Sequence, residues 1–297
     1  MSAPKLLVTG GSGQVGTGIS RANRGRFDLV APPRSTLDLS DGTSIESSIA
    51  SGDWAAIINC GAYTAVDKAE TDRASAFAIN AEAPDLIARA AARLNIPLLH
   101  VSTDYVFDGS KAAPYDEDDS VAPLGVYGAS KEAGENAVRA AGGRHIILRT
   151  AWVVSPWGNN FVKTMLRLGA ERDTLGVVAD QIGCPTSAVD IAETLLSLTE
   201  ALLTNGNAPT GTYHFVNAGD ASWYDLANHV FRRTAEHGFK SPKVNAIATA
   251  DYPTPARRPA NSRLSTAKLS GDHGITPRPW RAAVDEIVDT LQRDLHA

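Results

Sequence analysis

The sequence predicts an α/β protein built on a doubly wound parallel sheet, with a smaller C-terminal lobe. Short apolar runs of strand length alternate with helical patterns through the first half of the 297-residue chain. Such alternation gives right-handed βαβ units and therefore parallel strands. After about residue 155, the pattern gives way to loop-like segments rich in Gly, Pro and Asn, which indicate the smaller lobe.

Five apolar runs are the predicted strands of the sheet, and two longer segments between them have helical patterns. The strands are KLLVTG (5–10), FDLVAP (27–32), AAIINCG (55–61), IPLLHVSTD (96–104) and HIILRTAW (145–152). The helical segments are 73–95 and 130–142, and TYHFVN (212–217) is expected to return to the sheet as a further strand.

Composition excludes several classes of function. The net charge is −5 and no block of Lys or Arg occurs, which argues against a nucleic-acid partner. The two cysteines, Cys60 and Cys184, form no metal-type pair, so we expect neither a disulfide framework nor a metal site. No apolar run approaches the ~18 residues of a membrane span, and the N-terminus lacks a signal-peptide core. We therefore expect a cytoplasmic protein without a membrane partner.

A glycine loop follows the first strand. VTGGSGQVG (8–16) places Gly10, Gly13 and Gly16 three residues apart, directly before a helical segment. Glycines let the backbone approach a pyrophosphate, and the helix N-terminus supplies free N–H groups. The alternative is a plain tight turn, but the position between strand and helix favours a dinucleotide site in a Rossmann-like sheet.

The end of the second strand bears on which dinucleotide binds. An acid there would bond the ribose 2′-hydroxyl, whereas an arginine accommodates a 2′-phosphate. Here APPRS (31–35) supplies Arg34, with no acid before Asp38. This favours NADPH over NADH, although a surface arginine without a role remains the alternative.

Tyr127 and Lys131 lie four residues apart in VYGASKEAG (126–134). On a helix such residues share one face, so the ammonium group can lower the pKa of the phenol and make it a usable proton donor. The alternative is an ordinary solvated helix face. HVSTDYVFDG (100–109) adds Ser102, Thr103 and Asp104 at a strand end, where open α/β sheets bind ligands.

The combination resembles the extended short-chain dehydrogenase/reductase family and, within it, the dTDP-4-dehydrorhamnose reductases. The resemblance runs nearly end to end. Its marks are GQVG (13–16), NCGAYTAVDKAE (59–70), STDYVFDG (102–109), YGASK (127–131), RTAWV (149–153), GNNFVKTMLRL (158–168), DQIGCPT (180–186) and YPTPARRPANSRL (252–264).

This resemblance implies reduction of dTDP-4-dehydro-β-L-rhamnose to dTDP-L-rhamnose, with NADPH or NADH as the hydride donor. Tyr127 would be the proton donor, Lys131 would bind the nicotinamide ribose and lower the tyrosine pKa, and Thr103 would assist. Cofactor contacts would include Gly13, Gln14, Val15, Asp38, Leu39, Ala62, Tyr63 and Thr64. Substrate contacts would include Asp104, Trp152, Arg257, Arg258 and Asn261.

The change of pattern near residue 155 also predicts a domain division. Residues 1–155 would form the dinucleotide-binding domain, to which segments within about 188–235 return. Residues 156–297 would form mainly the substrate-binding lobe. A homodimer is possible. Some family members form magnesium-linked dimers through glutamates, but Val189 stands where such a glutamate is sought, so no metal bridge is expected.

Two other functions remain open from the sequence. A sugar-nucleotide epimerase or 4,6-dehydratase shares the fold and the Tyr/Lys pair, although Tyr105 follows Asp104 where a dehydratase needs a glutamate. A non-catalytic NADP-binding regulatory subunit also resembles this group. The retained Thr103, Tyr127 and Lys131 favour an enzyme.

Overall fold

The computed structural model describes residues 3–295, whose strands and helices alternate along the first half of the chain. The strands are β1 Lys5–Thr9, β2 Asp28–Val30, β3 Ala56–Asn59, β4 Leu98–Thr103, β5 His145–Thr150, β6 Val153–Val154, β7 Thr174–Val178, β8 Ile182–Gly183, β9 Thr186–Ser187, β10 Gly211–His214, β11 Ala221–Ser222 and β12 Lys243–Ile247. The α-helices are α1 Gln14–Ala22, α2 Gly42–Ala50, α3 Val66–Ala69, α4 Arg73–Phe77, α5 Ala83–Leu94, α6 Val126–Ala140, α7 Phe161–Glu171, α8 Ala188–Thr204, α9 Trp223–Glu236, α10 Ala267–His273 and α11 Trp280–Leu295.

Six strands form the central sheet in the order β10-β5-β4-β3-β1-β2, and all its pairings are parallel. The predicted doubly wound sheet is therefore confirmed. The chain moves outward from β1 in both directions, to β2 on one side and to β3 on the other. This reversal opens a crevice at the carboxyl ends of the strands, where α/β folds bind ligands.

Apolar residues cover both faces of the sheet. Leu6 and Val8 pack on one face with Ile19 of α1 and Ile191 of α8. Leu7, between them, points to the other face and joins a core built with α2, α5 and α6. Because successive side chains of a strand alternate, burial on both faces explains why β1 is apolar throughout.

The later part of the chain has a further apolar core. It joins α7, α9 and α11 to β7, and Trp280 is its largest fully buried side chain. β12 pairs with β7 in a separate two-stranded sheet. By contrast, α8 packs on α1, and β10 joins the edge of the central sheet beside β5. The domain division near residue 155 stays a prediction.

The segment 73–95 differs from the single helix that its pattern predicts. A π-helical turn at 78–82 separates α4 from α5. Asn80 in this turn is buried; its amide accepts from Tyr63 N and donates to Tyr63 O and to Ser130 Oγ. The wider turn thus directs the Asn80 side chain to the segment after β3 and to α6. A periodic hydrophobic pattern does not predict these contacts.

Among residues 3–295, no helix is both long enough and apolar enough to cross a membrane.

Candidate active site

A cavity of about 630 Å³ opens at the carboxyl ends of the central strands. Residues 10–15 follow β1 and form one wall, and residues 60–62 follow β3. The end of β4 supplies 102–105, and the end of β5 supplies 150–153. The cavity therefore lies in the crevice that the strand order creates, and it collects the glycine loop and the predicted catalytic residues in one space.

The glycine loop has the geometry of an anion site. Gly10 has φ +67°, and an added Cβ there would lie 2.6 Å from Gly61 Cα, so only glycine fits. Gly16 does not line the cavity. An added Cβ there would lie 2.3 Å from Gly10 O, so close packing of the loop requires a glycine at this position. α1 begins after Gly13 without a side-chain cap, which leaves N–H groups at its first turn for an anion.

Gln14 belongs to this loop, but its side chain turns to a neighbouring segment. Its Oε1 accepts from Ser155 Oγ at 2.7 Å and from Asn160 Nδ2 at 3.0 Å. Trp157 Nε1 donates to the Gln14 carbonyl at 2.8 Å. The side chain therefore fixes the loop 155–160, while the residue also lines the cavity beside Val15.

Arg34 and Asp38 lie at the outer end of the cavity with Leu39. The largely exposed Arg34 side chain donates to Asp38 at 3.2 Å. Bonds from Ser40 hold the pKa of the Asp38 carboxyl below its usual range. An exposed guanidinium at this end suits a 2′-phosphate.

After β3, Ala62 and Thr64 line the cavity but Tyr63 does not. The Tyr63 hydroxyl donates to Asp72 at 3.0 Å, and its backbone is bonded to Asn80. This tyrosine supports the wall instead of forming it.

Tyr127 lies in the first turn of α6 and faces the cavity with Lys131. Part of Tyr127 reaches solvent, but its phenol lies deep enough that burial raises the pKa to about 12. A bond with Thr103 opposes the rise, and the nearby Asp104 adds to it. The direction is therefore opposite to the expected lowering by Lys131, which is not among the groups that shift this pKa.

Lys131 is itself almost fully buried. Its Nζ donates to Val101 O at 2.7 Å. Burial lowers the pKa of this amine to about 8, although the carboxylate of Glu135 opposes the shift. With a pKa of about 8, the amine is still mostly protonated at neutral pH.

Thr103 and Asp104 end β4 as a bonded pair. Thr103 Oγ1 donates to Asp104 Oδ1 at 3.0 Å. The second oxygen, Oδ2, is buried without a protein hydrogen bond of normal geometry. Burial raises the pKa of Asp104 to about 6, while the hydroxyls of Ser262 and Thr103 oppose the rise. An unsatisfied acceptor on a cavity wall is suited to bind a ligand hydroxyl.

Trp152 forms a flat wall of the cavity. It has φ +47°, an unusual backbone conformation for a bulky residue. Trp223 stacks on it, with ring centroids 3.5 Å apart and planes 9° apart. Gly183 leaves room for the ring, since a Cβ there would lie 2.5 Å from it. Two sequence-distant residues therefore stabilise this orientation.

Known proteins resemble the chain over its whole length. The profile described as RmlD substrate binding domain matches residues 4–293. The chain belongs to this family.

A family relative from Sinorhizobium fredii (strain NBRC 101917 / NGR234), named dTDP-4-dehydrorhamnose reductase, is 44% identical over 288 residues, 97% of each chain. A crystal structure of a dTDP-4-dehydrorhamnose reductase from Clostridium acetobutylicum matches with TM-score 0.91 and 38% identity, covering 97% of this chain and 99% of that one. The Bacillus anthracis reductase, solved in complex with NADP, matches with TM-score 0.89 and 33% identity over the same shares.

Three residues suggested by the family resemblance lie outside the cavity wall. Arg258 is paired with Asp67 at 2.8 Å, and Arg257 is exposed. Asn261 Nδ2 donates to the carbonyls of Lys111 and Ala113, which fixes a loop. A substrate role for these three stays a prediction.

Three residues that line or support the cavity have no site role predicted from the sequence. Gly158 and Asn159 line the cavity from a segment whose composition predicts only a loop. Glu70 Oε1 accepts from Val126 N at 2.8 Å, at the start of the helix that carries Tyr127. All three residues lie within stretches that carry the family resemblance, 59–70 and 158–168, but no local pattern shows that a glutamate caps a distant helix.

Proposed function

We propose that this chain is a dTDP-4-dehydrorhamnose reductase. It reduces the C4 ketone of dTDP-4-dehydro-β-L-rhamnose to give dTDP-L-rhamnose. The observation that carries this proposal is the single cavity that joins a dinucleotide-type glycine loop to Thr103, Tyr127 and Lys131. The full-length likeness to relatives named for this reaction supports the choice of substrate.

The residues present fit a nicotinamide dinucleotide. The uncapped first turn of α1 and the close approach that Gly10 permits suit its pyrophosphate. Arg34 suits the 2′-phosphate of NADPH, and Leu39, Ala62 and Thr64 line the cavity nearby. When bound, the reduced nicotinamide supplies the hydride.

Tyr127 supplies the proton in this mechanism. Its phenol, in reach of Thr103, donates to the C4 oxygen as charge develops there. Thr103 hydrogen-bonds the reacting groups, and Lys131 holds the nicotinamide ribose. A phenol whose pKa is about 12 remains protonated at neutral pH, so the proton is present before the hydride arrives.

Asp104 and Trp152 orient the sugar. The unsatisfied Oδ2 of Asp104 accepts a sugar hydroxyl, and the Trp152 ring supplies a flat apolar surface. We also propose a cytoplasmic location and a possible homodimer.

The direct test follows reduced-nicotinamide absorbance after mixing the protein with NADPH or NADH and verified dTDP-4-dehydro-β-L-rhamnose. We expect stoichiometric cofactor oxidation and formation of dTDP-L-rhamnose, identified by NMR. A folded protein that leaves the cofactor reduced would contradict the proposal. Turnover without net cofactor oxidation would indicate an epimerase instead.

A further inference from the structure

Trp152, the flat wall of the cavity, has a backbone conformation that bulky residues rarely adopt. Its φ of +47° lies in the left-handed region. Such a conformation persists only where the surrounding structure stabilises it. Thr186 N donates to Trp152 O at 3.1 Å and fixes the backbone, but this bond does not set the direction of the ring. Contacts with the ring from other elements must do so.

One small sheet supplies two contacts of the Trp152 ring. β8 and β11 pair antiparallel, with Gly183 opposite Ala221. Gly183 leaves the space that the ring fills, and Trp223, which follows β11 directly, stacks on the ring. Neither Gly183 nor Trp223 lines the cavity. Both residues therefore act on the ligand space through Trp152.

The Trp223 ring is itself fixed at its edge by a chain of hydrogen bonds. Its Nε1 donates to Gln181 Oε1 at 3.1 Å, and Gln181 Nε2 donates to Thr249 Oγ1 at 3.0 Å. Thr249 Oγ1 in turn donates to Asp180 Oδ1 at 2.6 Å. Bonds from the Thr249 side chain and backbone hold the pKa of the Asp180 carboxyl below its usual range, so it remains an ionised acceptor.

This chain of hydrogen bonds has one direction. An indole nitrogen only donates and a carboxylate only accepts, so the roles at both ends are determined. The Gln181 amide must then present its oxygen to Trp223 and its nitrogen to Thr249. Gln181 is buried, and a rotation of the Trp223 ring would leave the Gln181 oxygen without its donor. The ring of Trp223 is therefore held in the plane on which Trp152 stacks.

We propose that Trp223 and Gln181 are positioning residues, which hold the Trp152 ring in the orientation that the sugar of the substrate contacts. This inference rests on the proposed function, in which Trp152 orients the sugar. It assigns a role in the reaction to two residues that lie outside the cavity wall.

The location of the pair predicts which kinetic constant it affects. Trp152 follows β5, whereas Thr103 ends β4 and Tyr127 lies on α6. A displaced ring therefore weakens binding of the sugar in the ground state and the transition state alike, which raises KM and leaves kcat unchanged. A partly unfolded variant behaves differently, because loss of folded enzyme lowers the apparent kcat and leaves KM unchanged.

Two substitutions of Trp223 separate the stacked ring from simple filling of space. Trp223→Leu removes the ring, whereas Trp223→Phe keeps an aromatic ring and loses the N–H group. We expect Trp223→Leu to raise the KM for dTDP-4-dehydro-β-L-rhamnose about tenfold, with little change in kcat or in the KM for NADPH. Trp223→Phe should recover most of this loss. A lower kcat with an unchanged substrate KM in Trp223→Leu would overturn the proposal.

Gln181→Met tests the hydrogen-bonded chain with a side chain of similar length. It keeps both indoles and removes the acceptor of Trp223 Nε1, so we expect the substrate KM to rise about threefold. Gln292→Met makes the same change at a buried glutamine of α11 and should keep the wild-type KM. A wild-type KM in Gln181→Met would refute the role of Gln181.

An NMR measurement without substrate tests the stack itself. In ¹⁵N-tryptophan-labelled full-length protein, the five indole N–H groups give separate signals, and Trp152→Phe identifies the signal of Trp152. The ring current of a stacked indole shifts this signal upfield. We therefore expect it to move downfield in Trp223→Leu and to move less in Trp223→Phe. A signal that stays at the wild-type position in Trp223→Leu would overturn the proposal.

These outcomes separate the positioning role from the reductase activity. A folded wild-type protein without turnover contradicts the proposed function, while the NMR spectra still report the stack. A wild-type protein that reduces the substrate, together with Trp223 variants that keep its KM, overturns the positioning role alone.

Discussion

The Ser155 hydroxyl lies 2.7 Å from Gln14 Oε1, and this contact joins the glycine loop to the loop 155–160. Asn160 donates to the same oxygen at 3.0 Å. Gly158 and Asn159, in the middle of the joined loop, line the cavity. Gln14 therefore fixes the loop 155–160, a second wall of the cavity, next to the proposed pyrophosphate site.

We predict that Gln14→Met weakens NADPH binding roughly tenfold, because a similar-sized side chain without the acceptor loses bonds worth about 1 kcal/mol or more. Titration of NADPH fluorescence measures the dissociation constant. Ser155→Ala removes one donor and should weaken binding in the same direction, by less. An unchanged dissociation constant in Gln14→Met would show that the loop does not contribute to the cofactor site.

Gln14 also shows which features of the site can be predicted from the sequence and which cannot. Local patterns predict β1, the glycine turn and the start of α1, because strand, turn and helix each depend on neighbouring residues. The family resemblance adds Gln14 as a cofactor contact, and Gln14 lines the cavity. Neither the patterns nor the resemblance predicts its bonds to Ser155 and Asn160, which are more than 140 positions away along the chain.

The same distinction applies to Tyr127 and Lys131. Their spacing predicts that both lie on one face of a helix, and both line the cavity. The spacing does not predict the direction of the tyrosine pKa, because that depends on burial by residues from other elements. Trp223, which stacks on Trp152, could not be found from local pattern for the same reason.

We predict that Tyr127→Phe lowers kcat by about 10²- to 10⁴-fold, the usual contribution of a positioned proton donor. The ring and its edge contact with Tyr105, at 5.4 Å between centroids, are retained. NADPH affinity should therefore change little. Steady-state kinetics and a binding titration measure the two effects, and near-normal turnover would remove this phenol from the proton transfer.

Asp104 should give the reaction a pH dependence. Its pKa is raised to about 6 by burial, so the carboxylate that accepts a sugar hydroxyl forms as pH rises through about 6. We predict that kcat/KM rises across this range in the wild type. Asp104→Asn should lower kcat/KM roughly tenfold and flatten the profile. A rise of the same size in the variant would assign the titration to another group.

The same shift predicts an effect on stability. An acid whose folded pKa exceeds its unfolded value of 3.8 binds more protons in the folded state between these two values. The contribution of Asp104 to the free energy of unfolding therefore decreases as pH rises from about 4 to about 6. Denaturant unfolding of the wild type and Asp104→Asn across this range should differ in slope. Parallel curves would contradict the raised pKa.

Glu70 fixes the start of the helix that carries Tyr127. Its Oε1 accepts from Val126 N at 2.8 Å, while Gly125 at the N-cap has no side chain to do so. A Cβ at Gly125 would lie 2.6 Å from the same oxygen, so glycine and glutamate fit together. A carboxylate at a helix N-terminus also interacts favourably with the helix dipole.

We therefore predict that Glu70→Ala lowers the free energy of unfolding by about 1 kcal/mol, as loss of a helix cap does. Because Tyr127 follows Val126 directly, the variant should also lower kcat several-fold with little change in NADPH affinity. Glu70→Gln retains an oxygen acceptor at the same place and should recover most of both losses. If Glu70→Ala and Glu70→Gln reduce kcat equally, the negative charge rather than the hydrogen bond positions the tyrosine. If neither changes kcat, Glu70 supports the fold alone.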